Sequence, residues 1–352
     1  MKKICYAVAC STALVGANAF AQEDDPKGDV VTLYGRVFVM LESVEAGGGT
    51  AAALPRRMRV TDQSSLLGVR GAESLTPTLK AFFQLETGFS PDAASGAFAQ
   101  RNSAVGLQSR SFGSILMGRW DMPMKLAQAS PLDPFTDLAL ADITGAALNQ
   151  GNFSNRAQNV VEYWSPNWGG LEAKLAYGAN EARIANRNPY MTGASLVWSN
   201  KDVYITYAYE KHYDTRDGTA TAGVNETGNG IGGYVRLGGA KLTAQYGEYT
   251  RTGTRKQKSY AVGVDWIFTG AHHFLAIYQN SKDGGLEGAA QPRCDLVGVG
   301  YRYDFSRRTM FTAYYTKVEN KVGNLCNFGA ATLAISEGQD PTGLSAGFRH
   351  VF

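Results

Sequence analysis

Gly343-Leu344-Ser345-Ala346-Gly347-Phe348-Arg349-His350-Val351-Phe352 closes the chain, and its alternation decides the fold. Leu344, Ala346, Phe348, His350 and Phe352 fall on one face of a strand, with Gly343, Ser345, Gly347, Arg349 and Val351 on the other. A domain that ended on such an apolar-faced strand with a free edge would invite edge-to-edge pairing. A closed barrel has no edge, and in a membrane its apolar face belongs outside.

The same two-residue period recurs along the chain. Leu33, Gly35, Val37, Val39 and Leu41 oppose Tyr34, Arg36, Phe38, Met40 and Glu42. Val203 to Tyr209, Tyr260 to Phe268 and Val297 to Phe305 repeat the pattern. A soluble sandwich could carry it too, but aromatic residues gather toward strand ends, at Tyr163-Trp164, Trp168, Trp198, Trp266-Ile267-Phe268, Tyr303 and Phe305. Membrane-interface girdles require that placement. Glycines and charges on the opposite face suit a watery lumen.

Connections alternate between tight turns and long loops, as in up-and-down barrels. Tight turns fall at 167–170, 199–202, 238–240, 269–271 and 306–307. Longer polar stretches lie near 45–57, 91–100, 121–156, 181–188, 214–228, 283–294 and 320–341. The pattern predicts sixteen strands, near 31–43, 58–73, 79–90, 101–109, 114–120, 157–165, 171–180, 190–199, 203–213, 229–238, 240–252, 257–268, 272–282, 294–305, 308–319 and 343–352. The fold class is therefore an all-β, transmembrane, 16-stranded antiparallel up-and-down β-barrel. Barrels of about 16–18 strands leave an aqueous channel where eight-stranded ones are filled by side chains.

Residues 1–21 have the form of a cleaved signal peptide: Lys2 and Lys3, an apolar Ile4–Val15, then Ala19-Phe20-Ala21. That apolar run is too short for a membrane anchor, and acidic Glu23-Asp24-Asp25 follow it. Cleavage after Ala21 leaves a single domain, residues 22–352, with 32 basic and 31 acidic residues, a net of +1. That balance gives no reason to expect nucleic acid as a partner. Cys5 and Cys10 leave with the signal, and in an oxidising compartment Cys294 and Cys326 are expected to form one disulfide across adjacent outer loops. Closing a loop of about 32 residues is worth roughly 3–4 kcal/mol by chain entropy.

The chain resembles the general-diffusion porins of Gram-negative outer membranes, in particular the betaproteobacterial branch. The resemblance rests on Val31-Thr-Leu-Tyr-Gly35, Leu67-Gly-Val-Arg-Gly-Ala-Glu73, Leu79-Lys-Ala-Phe-Phe-Gln-Leu-Glu-Thr-Gly-Phe89, Met117-Gly-Arg119, Tyr163-Trp-Ser-Pro-Asn-Trp-Gly-Gly170, Phe305-Ser-Arg-Arg-Thr309 and Gly347-Phe-Arg-His-Val-Phe352. It implies a homotrimer whose long third loop is folded into the lumen, working without a cofactor. It also implies outer-membrane lipid and lipopolysaccharide as surroundings, and Phe352 as the signal read by the barrel-assembly machinery. Small ions and hydrophilic solutes would be the cargo.

Residues 121–156 form the longest connection, and an irregular segment beyond about 12–15 residues usually has a task. Asp121, Asp133, Asp137 and Asp142 are its acidic residues, and Pro123, Pro131, Pro134, Phe135, Leu138, Leu140 and Leu148 favour a packed loop over a solvated one. The basic wall opposite is expected from Arg59, Arg70, Arg101, Arg119 and Arg156, with Arg101 and Arg156 matching the family's cluster best. Such a wall orients polar solutes and sorts ions by charge, here leaning to anions. Leu66 stands where anion-selective relatives carry another arginine, and Phe38 where an acidic lumen residue is common.

Catalytic and metal readings find no support. His350 points to the apolar face, and His272-His273 at a tight turn is taken for a pair at the membrane interface, without metal-ligand spacing. No Gly-x-Ser-x-Gly elbow occurs, and Gly228-Asn-Gly-Ile-Gly-Gly233 opens a strand rather than a helix. The alternatives to general diffusion are a substrate-selective channel, marked by an aromatic track at the constriction, and a surface-exposed adhesin.

Overall fold

The computed structural model describes residues 30–143, 153–216, 218–282, 293–321 and 324–352; Ala21 and Leu148 lie outside them. Sixteen antiparallel staves close on themselves. They are β1 (Val30–Gly48), β2 in two pieces (Leu54–Asp62 and Leu66–Thr76), β3 (Leu79–Ser90), β4 (Ser103–Ser109), β5 (Gly113–Asp121), β6 (Arg156–Trp164), β7 (Leu171–Ala179) and β8 (Tyr190–Ser199). There follow β9 (Val203–Tyr213), β10 (Glu226–Leu237), β11 (Ala240–Arg251), β12 (Gln257–Thr269), β13 (His272–Lys282), β14 (Arg293–Asp304), β15 (Thr309–Asn320) and β16 (Gln339–Val351). Each stave pairs with its neighbours in sequence, and β16 returns to β1 from Arg36↔Val351 to Gly48↔Gln339. Phe352 adds two backbone hydrogen bonds to Gly35 at the seam, 3.0 and 3.1 Å.

Alternation places the apolar side chains outside. Leu33, Val37 and Leu41 are exposed, as are Leu344, Phe348 and Phe352, whereas Arg36, Phe38, Met40 and Glu42 are buried inside. The described helix α1 (Pro123–Gln128) has six residues, and among the described residues no helix is long and apolar enough to cross a membrane. The staves themselves cross it, since a closed ladder leaves no strand edge unpaired in lipid.

Three expectations need correction. β1 runs to Gly48, so the first long connection shrinks to residues 49–53, tied by Arg56 to Glu45 at 2.7 Å. Trp164 is not a girdle residue: Tyr163 is exposed, but Trp164 lies inside, edge-on to Trp120 at 5.8 Å. His272 faces out against Phe268, Tyr301 and Tyr303, yet His273 is buried inside between Asp265 and Asp304 at 2.7 and 3.1 Å. Adjacent strand residues point to opposite faces, so a histidine pair cannot share one environment.

Candidate functional site

Inside the barrel, Phe82, Leu116, Trp120, Val160 and Trp164 form a cluster on β3, β5 and β6, and much of the remaining interior is organised by the connection between β5 and β6. The chain leaves β5 at Asp121 and turns inward, Pro123 occupying the first turn of α1, where a missing N–H costs nothing. Residues 122–143 then travel around the inner wall, and glycines on alternate staves make room for them. A side chain at Gly193 in β8 would collide with Met122 and Pro123, one at Gly230 in β10 with Gln128, and one at Gly232 with Leu132. Farther along, Gly263 in β12 accommodates Pro134, Gly300 in β14 accommodates Phe135, and Gly343 in β16 accommodates Leu140. The segment therefore lies as a belt against β8 to β16.

Apolar burial fastens the belt. Leu132, Phe135, Leu138, Leu140 and Ile143 are buried on Phe38, Met40 and Val44 of β1, Leu275 and Ile277 of β13, Leu296 of β14 and Tyr314 of β15. Phe328 and Leu333, from the connection before β16, complete that cluster. Each large side chain so buried is worth roughly 1.5–3 kcal/mol. Phe38 is thus part of the apolar seat. Polar ties add direction: Gln63 accepts from the Ala139 N–H at 2.6 Å, and Tyr204 donates to the Ala127 carbonyl at 2.7 Å.

The acidic residues of the belt have separate fates. Asp121, Lys125 and Arg156 form a cluster where the loop leaves and returns, at 3.0 and 3.1 Å, and Asn102 joins both Asp121 and Arg156. Asp133 does not face a passage; its carboxylate accepts the Phe135 and Ile143 N–H groups at 2.8 and 3.2 Å. Burial pushes its carboxyl well above the usual range, and the Asp142 charge pushes the same way. Asp142 lies beside Gly329, and its carbonyl accepts from Gln279 at 3.3 Å. Asp137 meets Arg36 of β1 at 2.6 Å, beside the apolar seat. Burial by itself would raise the Asp137 carboxyl, but the Arg36 guanidinium outweighs it and holds the carboxyl below its ordinary value.

Of the expected basic wall, Arg59 and Arg101 keep 19% and 24% of their side chains accessible, as Asp137 keeps 23%. Arg59 pairs with Glu42 at 2.7 Å and also donates to the Ala331 carbonyl; Arg101 pairs with Glu86 at 2.7 Å. Arg70 lies over the Tyr34 ring at 5.3 Å, while Tyr34 donates to Glu86. Arg156 is only 12% accessible and works as a fastener of the loop base. Arg119 is a correction. It shares the outward alternation of Met117 and donates to the Gln100 carbonyl at 2.6 Å rather than to a carboxylate of the loop. The bulge between β5 and β6 adds its extra residue on β6, at Asn159 (φ 52°), and leaves the alternation of β5 intact.

Below the belt lies a second basic row, which motif comparison passed over. Arg36, Arg236, Lys241, Arg302 and Arg349 sit on inward positions of β1, β10, β11, β14 and β16. Arg302 pairs with Asp265 and Asp304 at 3.2 and 3.1 Å. Lys241 donates to the Pro131 carbonyl at 2.7 Å, and Arg349 lies over Phe38 at 5.9 Å. Their signal was available as basic residues at inward positions near the short-turn end of each stave. Cys294 and Cys326 are joined in the structure, but Cys294 belongs to β14 and is buried, so the bond ties a stave to the last long connection rather than two loops.

A Gram-negative porin family model matches residues 7–323. Outer membrane porin protein 32 of Delftia acidovorans is 28% identical over 92% of this chain and 94% of its own length. Major outer membrane protein P.IB of Neisseria meningitidis is 26% identical over 79% and 84%. In fold, the chain is similar to an anion-selective porin from Comamonas acidovorans, with TM-score 0.77 at 24% identity over 92% of this chain and all of that one. A closed sixteen-stave barrel with an apolar outer face, a belted lumen and relatives that are channels leads to one conclusion: the chain belongs to the Gram-negative porin family and forms an outer-membrane channel for passive diffusion.

Proposed function

We propose that the channel passes small hydrophilic solutes with a modest preference for anions, set by Arg59 and Arg101 at the belt and by the basic row beneath it. The supporting observation is the unequal use of charge. Asp121 and Asp133 are consumed in holding the loop, whereas Arg70, Lys241 and Arg349 carry no ion pair among the described residues. A water-filled lumen with low-dielectric walls and unpaired cationic side chains concentrates anions. The anion-selective porin of similar fold agrees in sign.

Reversal potentials in a planar bilayer under a salt gradient test the reading. Wild type gives a weak anion preference; Arg101→Ser shifts it toward zero more than Arg156→Ser does, because Arg156 is buried in the loop base. A cation-selective wild type, or equal shifts from the two variants, contradicts the assignment.

The same reading includes a homotrimer exported with a signal cleaved after Ala21, folded by the barrel-assembly machinery through its Phe352 end and seated among outer-membrane lipid and lipopolysaccharide. A trimer form is known for OmpT of Vibrio cholerae, a barrel of similar fold with TM-score 0.67 at 16% identity. A substrate-selective channel is the second reading, favoured by stacked Tyr204 and Tyr234 (5.2 Å) with Arg236 and Lys241 over the Tyr234 ring. Liposome swelling across a solute panel separates the two: general diffusion ranks solutes by size alone.

A further inference from the structure

Phe153 stands three residues before β6, at the end of the connection that begins as the belt. The Phe153 ring is stacked between His212 of β9, with centroids 4.9 Å apart, and Tyr249 of β11, at 5.3 Å. A side chain at Gly228 in β10 would strike the same ring, its Cβ 2.8 Å from Cδ1. His212 is buried, and both of its ring nitrogens meet carboxylates: Nε2 to Glu210 at 2.7 Å and Nδ1 to Glu226 at 3.2 Å. Glu226 also accepts from Arg251 of β11 at 2.9 Å. Two carboxylate acceptors require two N–H donors, and only the imidazolium supplies both. Charges facing this histidine are thus Glu210 on its own stave, Glu226 from β10, Arg251 from β11 and, acting through Glu210, Lys125 from α1.

We infer that His212 is a positioning residue for the constriction: as an imidazolium held between Glu210 and Glu226, it clamps Phe153 and so fixes the return of the belt and the width of the passage. A cation packed against an aromatic face attracts it through the ring quadrupole, most strongly where water is excluded. Loss of the proton removes that attraction and one of the two carboxylate bonds together. The clamp then weakens with rising pH, and the belt leaves its seat more often. This inference rests on the reading of residues 122–143 and 153–155 as part of the connection that narrows the pore.

Single-channel recording of the full channel tests it, comparing wild type, His212→Gln and Phe153→Leu from about pH 6 to about pH 10. Each preparation is first shown to be folded by its resistance to SDS before heating. The wild-type rate of brief current transitions should rise roughly tenfold toward alkaline pH. Both variants should show the raised rate at every pH. A wild-type rate that stays constant overturns the inference, as does either variant retaining the wild-type pH profile. Should His212→Gln fail to fold around two uncompensated carboxylates, Phe153→Leu decides alone, because it changes only the belt's side of the clamp. Absence of current in every protein would overturn the channel reading beneath the inference, and the clamp with it.

Discussion

At the level of single residues, the glycines of the inner face are the least replaceable. Gly300 touches no solute, yet a Cβ there would stand 2.7 Å from the Tyr314 Cβ and 3.0 Å from Phe135. Neither neighbour has room to yield, because both are buried in the cluster that seats the belt. Gly300→Val is therefore expected to cost about 1–3 kcal/mol of packing. It should appear as a noisier, altered single-channel conductance from a barrel that still resists SDS, since β14 keeps its backbone ladder. Conductance indistinguishable from wild type would show that the belt is held elsewhere. Asp137 illustrates the opposite case, a residue whose charge matters. With its folded value below the unfolded one, the Arg36 contact contributes stability above the unfolded value of about 3.9. That contribution is lost as pH falls through the still lower folded value. Acidification below about pH 4 should therefore release the belt tip and change conductance. Asp137→Asn should already show the released behaviour at neutral pH and no acid step.

At the level of elements, each stave serves two solvents through one alternation. β14 turns Val297, Val299 and Tyr301 outward while Leu296 and the glycines 298 and 300 receive the belt. The last long connection is an element in its own right. Asn320, Asn327 and Gln339 hydrogen-bond its backbone, Phe328 and Leu333 add to the belt's seat, and the Cys294–Cys326 bond ties it to β14. Reduction, or Cys294→Ser with Cys326→Ser, is expected to remove up to roughly 3–4 kcal/mol. The temperature at which the SDS-resistant band disappears should fall. An unchanged temperature would mean that the hydrogen bonds alone hold the connection.

For the whole molecule, the balance of charge is set by geometry rather than by composition. Near-neutral totals conceal a lumen in which Arg36, Arg59, Arg101 and Arg302 pair with carboxylates while Arg70, Lys241 and Arg349 carry no ion pair among the described residues. Barrel closure has the same character. The seam between β1 and β16 depends on Gly35, whose Cβ, if present, would lie 2.6 Å from the Phe352 ring. The terminal aromatic thus occupies a place prepared at the other end of the chain.

What the residues determined unaided was the barrel: sixteen staves, their order and their outward faces were legible because strand alternation is local and each strand repeats it. A long, packed, acidic loop was legible too, through its length and its proline and apolar residues, and its inward course through the family resemblance. Only the tertiary structure decided which charges remain free. Arg119 meets the Gln100 carbonyl instead of a belt carboxylate, Asp133 caps its own loop, His273 is buried in an ionic cluster, and Arg36 and Arg349 join the wall unannounced. Partners of a charged group lie many residues distant, and no local period records which carboxylate meets which guanidinium once the ring has closed.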